Sequence, residues 1–204
     1  MGTQERILLK AKELFRLYGI RAVTLDEIAS SLGISKKTIY LSFEDKDTLV
    51  DAVMMEEFDC NYQDCMNCSA SAKNAVDEIF ILMQNMEEDF RSLNPIVIFD
   101  MKKFHFKTFQ KFQNYMHTNL MQMIAANLKR GIDEGNYRTD LNIEIVSRFR
   151  MASIWLLFDQ EIFPSNKFEL SKVFKETLEL FLHGLVNPKG YKLIEKYKEQ
   201  HTKK

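Results

Sequence analysis

Two helix starts separated by one helix stop lie between Thr24 and Phe43, and few folds accommodate them so close together. Thr24-Leu25-Asp26-Glu27 has the form of a capping box: the threonine hydroxyl can accept from the amide three residues on while Glu27 reaches back, and Val23 can staple onto Ile28. Leu25, Ile28, Ala29 and Leu32 then make a buried face, which Gly33 ends after about two turns. Ser35 can cap a further helix at once, with Ile34 stapling onto Ile39. Upstream, Ile7, Ala11, Leu14, Phe15 and Tyr18 form the apolar stripe of an amphipathic helix from about Gln4 to Tyr18, closed by Gly19. One helix followed by two short ones around a glycine turn is a helix-turn-helix module.

The second helix of the pair, about Lys36 to Phe43, is expected to be the recognition helix. At about 100° per residue, Ile39 and Phe43 define its core side. Leu41 then points away, flanked by Lys37 and Thr38, with Lys36, Tyr40 and Ser42 nearer the edges. Lys36 and Lys37 stand in the first turn, and Lys46 follows Asp45, the expected cap of the next helix. The positive end of a helix dipole disfavours such cations by a few tenths of a kcal/mol each, which a bound phosphate offsets.

These residues carry a family resemblance. Thr24-Leu25-Asp26-Glu27-Ile28-Ala29 and Leu32-Gly33-Ile34-Ser35-Lys36-Lys37-Thr38-Ile39-Tyr40, followed by Phe43, Lys46 and Leu49, resemble the DNA-binding signature of tetracycline-repressor (TetR) family regulators. The resemblance covers roughly residues 4 to 53. It implies that Thr24, Tyr40 and Lys46 touch phosphates while Lys36, Lys37 and Thr38 face the major groove. Lys37 stands where many members have glycine, and Leu41 and Ser42 where aromatic or histidine residues are frequent, so base preference is expected to be this chain's own. Lys37 can donate to guanine O6 and N7, and Leu41 can pack on a thymine methyl.

Charge leaves room for an anionic partner at one end without establishing one. Residues 1–46 hold eight Lys and Arg against six Asp and Glu, residues 47–188 fourteen against twenty-one, and residues 189–204 six against two. The net charge of −1 hides this, and fields act only over roughly a Debye length of ~8 to 10 Å.

The remainder reads as long helices. Seven Gly and three Pro are too few for a turn-rich β fold or a glycine-loop nucleotide fold. Helices are expected over about Lys46 to Asn67, Ser71 to Arg91, Met101 to Glu134 (one piece or kinked), Leu141 to Asp159 and Phe168 to Val186. Asn94-Pro95 reads as a cap and first-turn pair, Ile96 to Phe99 as the most strand-like run, and Pro188-Lys189-Gly190 as a break before a short basic helix from Tyr191 that frays into His201, Thr202, Lys203 and Lys204. The expected fold class is therefore all-α: an amino-terminal three-helix DNA-binding domain over 1–46 and a carboxy-terminal helical ligand-binding and dimerisation domain over 47–204.

Sixteen Phe and eleven Met suit both a helical core and an adaptable apolar pocket. The pocket expected for a small-molecule effector is lined by Tyr62, Phe80, Met83, Phe104, Tyr115, Met116 and Trp155. Helix-turn-helix proteins read paired half-sites as two-fold dimers. The last two long helices are apolar on more than one side, and the family resemblance points to the same pair, so the homodimer interface is expected at Met151, Trp155, Phe158, Phe174, Leu178, Phe181 and Leu185.

Chemistry of other kinds has little to stand on. Cys60, Cys65 and Cys68 fall on one side of a helix, but three thiols fall short of a closed zinc set, so incidental thiols are expected, with a redox or metal sensor as the alternative. His105, His117, His183 and His201 have no ligand spacing, and no phosphate loop or nucleophile elbow is present. No enzyme activity, cofactor or metal is expected, nor a membrane partner, and the amino terminus lacks a signal-peptide pattern, which places the protein in the cytoplasm. The expected function is a ligand-responsive regulator, a repressor that binds a palindromic DNA operator as a homodimer. The alternative is an all-helical interaction scaffold that binds no DNA.

Overall fold

The computed structural model describes residues 2–202. Its helices are α1 (Thr3–Tyr18), α2 (Leu25–Leu32), α3 (Lys36–Tyr40), α4 (Lys46–Ser71), α5 (Ala75–Ser92), α6 (Ile96–Phe104), α7 (Phe106–Tyr115), α8 (Met121–Asp133), α9 (Ile143–Leu156), α10 (Leu170–Leu185) and α11 (Pro188–Thr202). Among the described residues the only pairing of extended backbone is an isolated bridge between Tyr137 and Val186, so the all-α expectation holds. Lys203 and Lys204, expected to fray from the last helix, lie outside the described residues.

Two compact units form: Met1–Asn61 with Ser92–Tyr115, and Tyr62–Arg91 with Met116–Lys204. In the first, Ile7, Ala11 and Phe15 of α1 meet Ile28 and Ala29 of α2 and Ile39 of α3 in a closed core. Tyr18, expected on the same stripe, is instead exposed, because α1 stops at Gly19, whose φ of 84° lies in the region glycine favours. The local signals act as written. Thr24 Oγ1 accepts from the Glu27 amide at 3.2 Å, Glu27 Oε2 accepts from the Thr24 amide at 2.7 Å, and Gly33 closes α2 in the left-handed conformation. Ser35 Oγ accepts from the Thr38 amide at 3.2 Å, and Asp45 Oδ1 caps α4 at the Thr48 amide at 2.7 Å. α3 is shorter than expected, ending at Tyr40 with Leu41 and Ser42 in the turn that follows.

The same unit holds α6 and α7 against the module. Asn94 donates its amide to the Arg16 carbonyl at 3.0 Å and Nδ2 to the Leu17 carbonyl at 3.2 Å. Its Oδ1 accepts from the Ile96 amide at 3.1 Å and its own carbonyl from Val97 at 3.0 Å, so Asn94-Pro95 starts a helix as expected, and the strand-like run Ile96 to Phe99 lies inside it. Farther along, His105 Nδ1 lies 2.6 Å from Asp47 Oδ1, the Thr108 hydroxyl donates to Asp51 Oδ1 at 3.1 Å and Lys111 Nζ to Asp51 Oδ2 at 2.7 Å. These contacts fasten α7 to the first turns of α4.

The second unit is organised around buried Tyr137. Its hydroxyl lies 3.0 Å from Asn127 Oδ1 and 3.2 Å from the Ala75 carbonyl, which also accepts from Asn127 Nδ2 at 3.1 Å. Arg130 ties in Glu134, Glu78 and the carbonyls of Ser69 and Ala72. The long run from Met101 to Glu134 is broken at His105 and carries a π-helical turn at Met116–Leu120, in keeping with the kink that the sequence left open. The expected break is present, since α10 ends at Leu185, but the short helix begins earlier than Tyr191: Asn187 Oδ1 caps the Lys189 and Gly190 amides, and Pro188 takes the first helical position.

Candidate nucleic-acid interface

α3 presents its outer side as its periodicity requires. Ile39 and Phe43 are buried, Leu41 is 80% exposed, Lys37 and Tyr40 are exposed, and Thr38 and Ser42 are half-buried. Among the described residues Lys37 makes no ion pair, so its ammonium is available beside Leu41.

The other cations are already engaged. Lys36 Nζ pairs with Asp26 Oδ2 at 2.7 Å, a hydrogen bond that raises the lysine above its ordinary value. Lys46 Nζ donates to the Ile20 carbonyl at 2.6 Å. Burial pushes its pKa down, opposed by the carboxylates of Asp100, Asp47 and Glu27. The Thr24 hydroxyl lies 2.9 Å from Glu27 Oε2, which holds its proton. Lys36, Lys46 and Thr24 therefore first serve the fold. A phosphate at Lys36 would compete with Asp26, and one at Lys46 could use only the protons that Ile20 leaves.

The residues expected to line an effector pocket are divided between the two units. Phe104 and Tyr115 belong to the first unit. Phe104 is an exposed ring beneath the Arg21 guanidinium and the Lys103 ammonium, not a buried wall, and Tyr115 packs on Phe58 and donates to its carbonyl. Phe80, Met83 and Met116 are buried and Tyr62 and Trp155 half-buried in the second unit, where Phe80 lies against Tyr197.

Several residues expected at a dimer interface are spent inside their own chain. Met151, Phe174, Leu178 and Leu185 are buried. Phe90 packs edge-on to both Phe174 and Phe158, and Phe181 lies under the Arg150 guanidinium. The outward faces of the same helices carry different residues: Ile145 at 65% and Phe149 at 64% exposed, then Ala152 and Leu156, spaced i, i+4, i+7 and i+11 on α9, with Leu180 at 75% exposed on α10. That spacing was present in the sequence, but both sides of α9 are apolar and periodicity alone does not say which side its own chain covers.

The three cysteines differ in exposure. Cys60 is exposed, whereas burial pushes the Cys65 thiol up to about 12 and also raises Cys68, whose sulfur accepts from Asn85 Nδ2 at 3.2 Å. Among the described residues no group of three or more His, Cys, Asp or Glu side chains is placed to hold a metal ion, and no helix is long and apolar enough to cross a membrane.

Comparison with known proteins bears on this geometry. Residues 7–53 match the model of the bacterial regulatory proteins of the tetR family. The HTH-type transcriptional repressor KstR2 of Rhodococcus jostii (strain RHA1) is 22% identical over 192 residues, spanning 92% of this chain and 93% of its own. The solved transcriptional regulator FadR from Bacillus subtilis, in complex with stearoyl-CoA, superposes with a TM-score of 0.69 at 16% identity over 88% of this chain and 98% of that one. A transcriptional regulator from Saccharomonospora viridis in complex with choline gives 0.74 at 19% identity, over 90% and 97%. At these identities the solved structures establish the shared fold.

Proposed function

With this chain a member of the TetR family of DNA-binding transcriptional regulators, we propose that it is a repressor that binds a palindromic operator as a homodimer and releases it when a small, largely apolar effector binds within residues 47–204. The observation that carries this reading is the doubly capped helix-turn-helix with Lys37 and Leu41 on its open face. Lys37, Thr38, Leu41 and Ser42 face base edges in the major groove, joined by Lys36 once Asp26 yields, while Tyr40 and, once their internal partners yield, Thr24 and Lys46 contact phosphates.

The stripe of Ile145, Phe149, Ala152, Leu156 and Leu180 supplies the two-fold interface, since exposed apolar residues at helical spacing are relieved by packing on a second copy. The hydrogen bond that the α1–α2 turn donates to α6, and those joining His105 and α7 to the first turns of α4, would give effector binding a mechanical route to the recognition helix. A hundredfold loss of operator affinity needs about 2.7 kcal/mol of coupling, within the usual allosteric range. Such a protein acts in the cytoplasm, where its operator lies.

Selection of bound sequences from a random duplex library tests the reading. A two-fold symmetric site is the expected outcome. Failure to enrich any site, with protein shown free of co-purified ligand by mass spectrometry, would transfer support to the scaffold alternative.

A further inference from the structure

Arg150 is the most unusual charge in the second unit. Its residue is 3% exposed on the inner side of α9, yet among the described residues no carboxylate pairs with it. Its guanidinium has five N–H donors. Nη1 reaches the Ser153 hydroxyl at 3.3 Å, and the Cζ atom stands 5.3 Å from the centroid of the Phe181 ring. The Ser153 hydroxyl is itself committed to the Arg150 carbonyl at 2.7 Å. One long hydrogen bond and one aromatic face are poor compensation for taking a guanidinium out of water.

A second observation points to the same place. One turn back on the same side of α9, the Ser147 hydroxyl is buried and has no hydrogen-bond partner. Residues three apart on a helix are neighbours, so a buried cation and a buried unsatisfied donor stand side by side. Burial lowers the Arg150 pKa to about 10, which leaves it charged at neutral pH. Evolution usually pairs such a group with an acid, as Arg130 is paired with Glu78 and Glu134.

We propose that Arg150 and Ser147 form the anionic subsite of the effector site, receiving the carboxylate of a ligand whose remaining body is apolar. The two oxygens of a carboxylate match the guanidinium fork, and a spare lone pair suits the serine hydroxyl. A single negative charge neutralises Arg150, whereas a phosphate dianion would leave a second buried charge without a partner. The Phe181 ring beside the guanidinium offers the ligand's body an apolar wall, and the ligand enters by displacing side chains, since Arg150 lies beneath the surface. This subsite deepens the proposed effector response and rests on it for its regulatory meaning, but the binding itself does not require DNA.

The test is ligand binding without DNA. Thermal unfolding midpoints and Trp155 fluorescence are recorded with octanoate, dodecanoate and hexadecanoate, and with the methyl ester and alcohol of each chain length. The expected result is a response to at least one acid that is absent with its ester and alcohol. Arg150→Met should bind that acid about tenfold or more weakly, as befits loss of a charge-assisted hydrogen bond, while its ligand-free midpoint equals or exceeds that of the parent. Arg150→Lys should retain part of the affinity. Ser147→Ala, which keeps the charge, should weaken the acid and leave the ligand-free midpoint unchanged. If Arg150→Met does not fold, the acid-to-ester contrast and the Ser147→Ala titration decide. Equal response to acid and ester, undiminished acid binding in Arg150→Met or Ser147→Ala, or no response to any of the acids would overturn the proposal. Operator selection succeeds or fails separately: acid binding without an operator sinks the regulator reading alone, and an operator without acid binding sinks this subsite alone.

Discussion

The main-chain N–H of Arg21 donates to the buried carboxylate of Asp100 across 2.8 Å, fastening the turn between α1 and α2 to α6. Asp100 also lies close enough to act on the charge of Lys46, so one carboxylate serves the turn, the helix and the start of α4. Asp100→Ala leaves the Arg21 N–H without its acceptor and should cost about 1–3 kcal/mol in urea unfolding. Asp100→Asn keeps an oxygen there and should recover most of that loss. Equal stability of the alanine variant and the parent would mean that this bond adds nothing.

Acid should weaken the helix starts. Main-chain hydrogen bonds to Thr24 and Thr48 hold the Glu27 and Asp45 carboxyls below their ordinary values. A folded-state pKa below the unfolded one contributes stability that is complete above the unfolded value and vanishes as pH falls through the folded value. Glu27→Gln and Asp45→Asn should therefore be less stable than the parent at pH 7 and converge with it below the carboxylate range. Urea midpoints measured from neutral to acid pH check this, and a gap that stays constant on acidification would contradict it.

Gly131 makes room for the ring at the centre of the second unit. A Cβ atom added there would fall 2.1 Å from Tyr137 Cδ2, and Tyr137 is fully enclosed with its hydroxyl engaged by Asn127. Gly131→Ala should destabilise by about 1–3 kcal/mol through overpacking, despite the better helix propensity of alanine. Calorimetry showing an unchanged or higher midpoint would show that the ring can move aside.

Phe149→Glu places a charge in the centre of the exposed stripe on α9 without touching the core. Sedimentation should find the parent dimeric at micromolar concentration and the variant monomeric, with the same helical circular dichroism. Leu180→Glu, on α10, should act alike. A dimeric double variant would place the interface elsewhere.

The amino-terminal module was legible because its determinants are local. Each cap joins residues three apart, and Gly33 sits where the backbone turns left-handed. Sequence pattern did not reveal which lysines were spent: Asp26 lies ten residues before Lys36, and the acceptor for Lys46 is a main-chain carbonyl. The pattern did mark the helix start at Asn94-Pro95, but not the tie of Asn94 to Arg16 and Leu17, far back in the chain. On α9, Phe149 and Met151 are both apolar and two residues apart, yet one faces water and the other the interior. Burial there is decided by α8 and α10, which pack on α9, information that hydrophobic period alone does not hold. The stop read at Pro188 is real, with α10 ending at Leu185, but Pro188 also starts the next helix, since Asn187 supplies the cap.

The most direct test of the central claim is a titration of the selected operator duplex with the parent protein and Lys37→Ala at several salt concentrations. Repression through a two-fold operator requires dimer binding that falls steeply with salt, by a slope of about −0.9 for each phosphate neutralised. Lys37→Ala should keep most of that slope and lose preference at one or two base pairs per half-site, by about 1–3 kcal/mol. Binding that ignores salt, or a variant that discriminates bases as well as the parent does, would contradict the role given to α3 and its outward lysine.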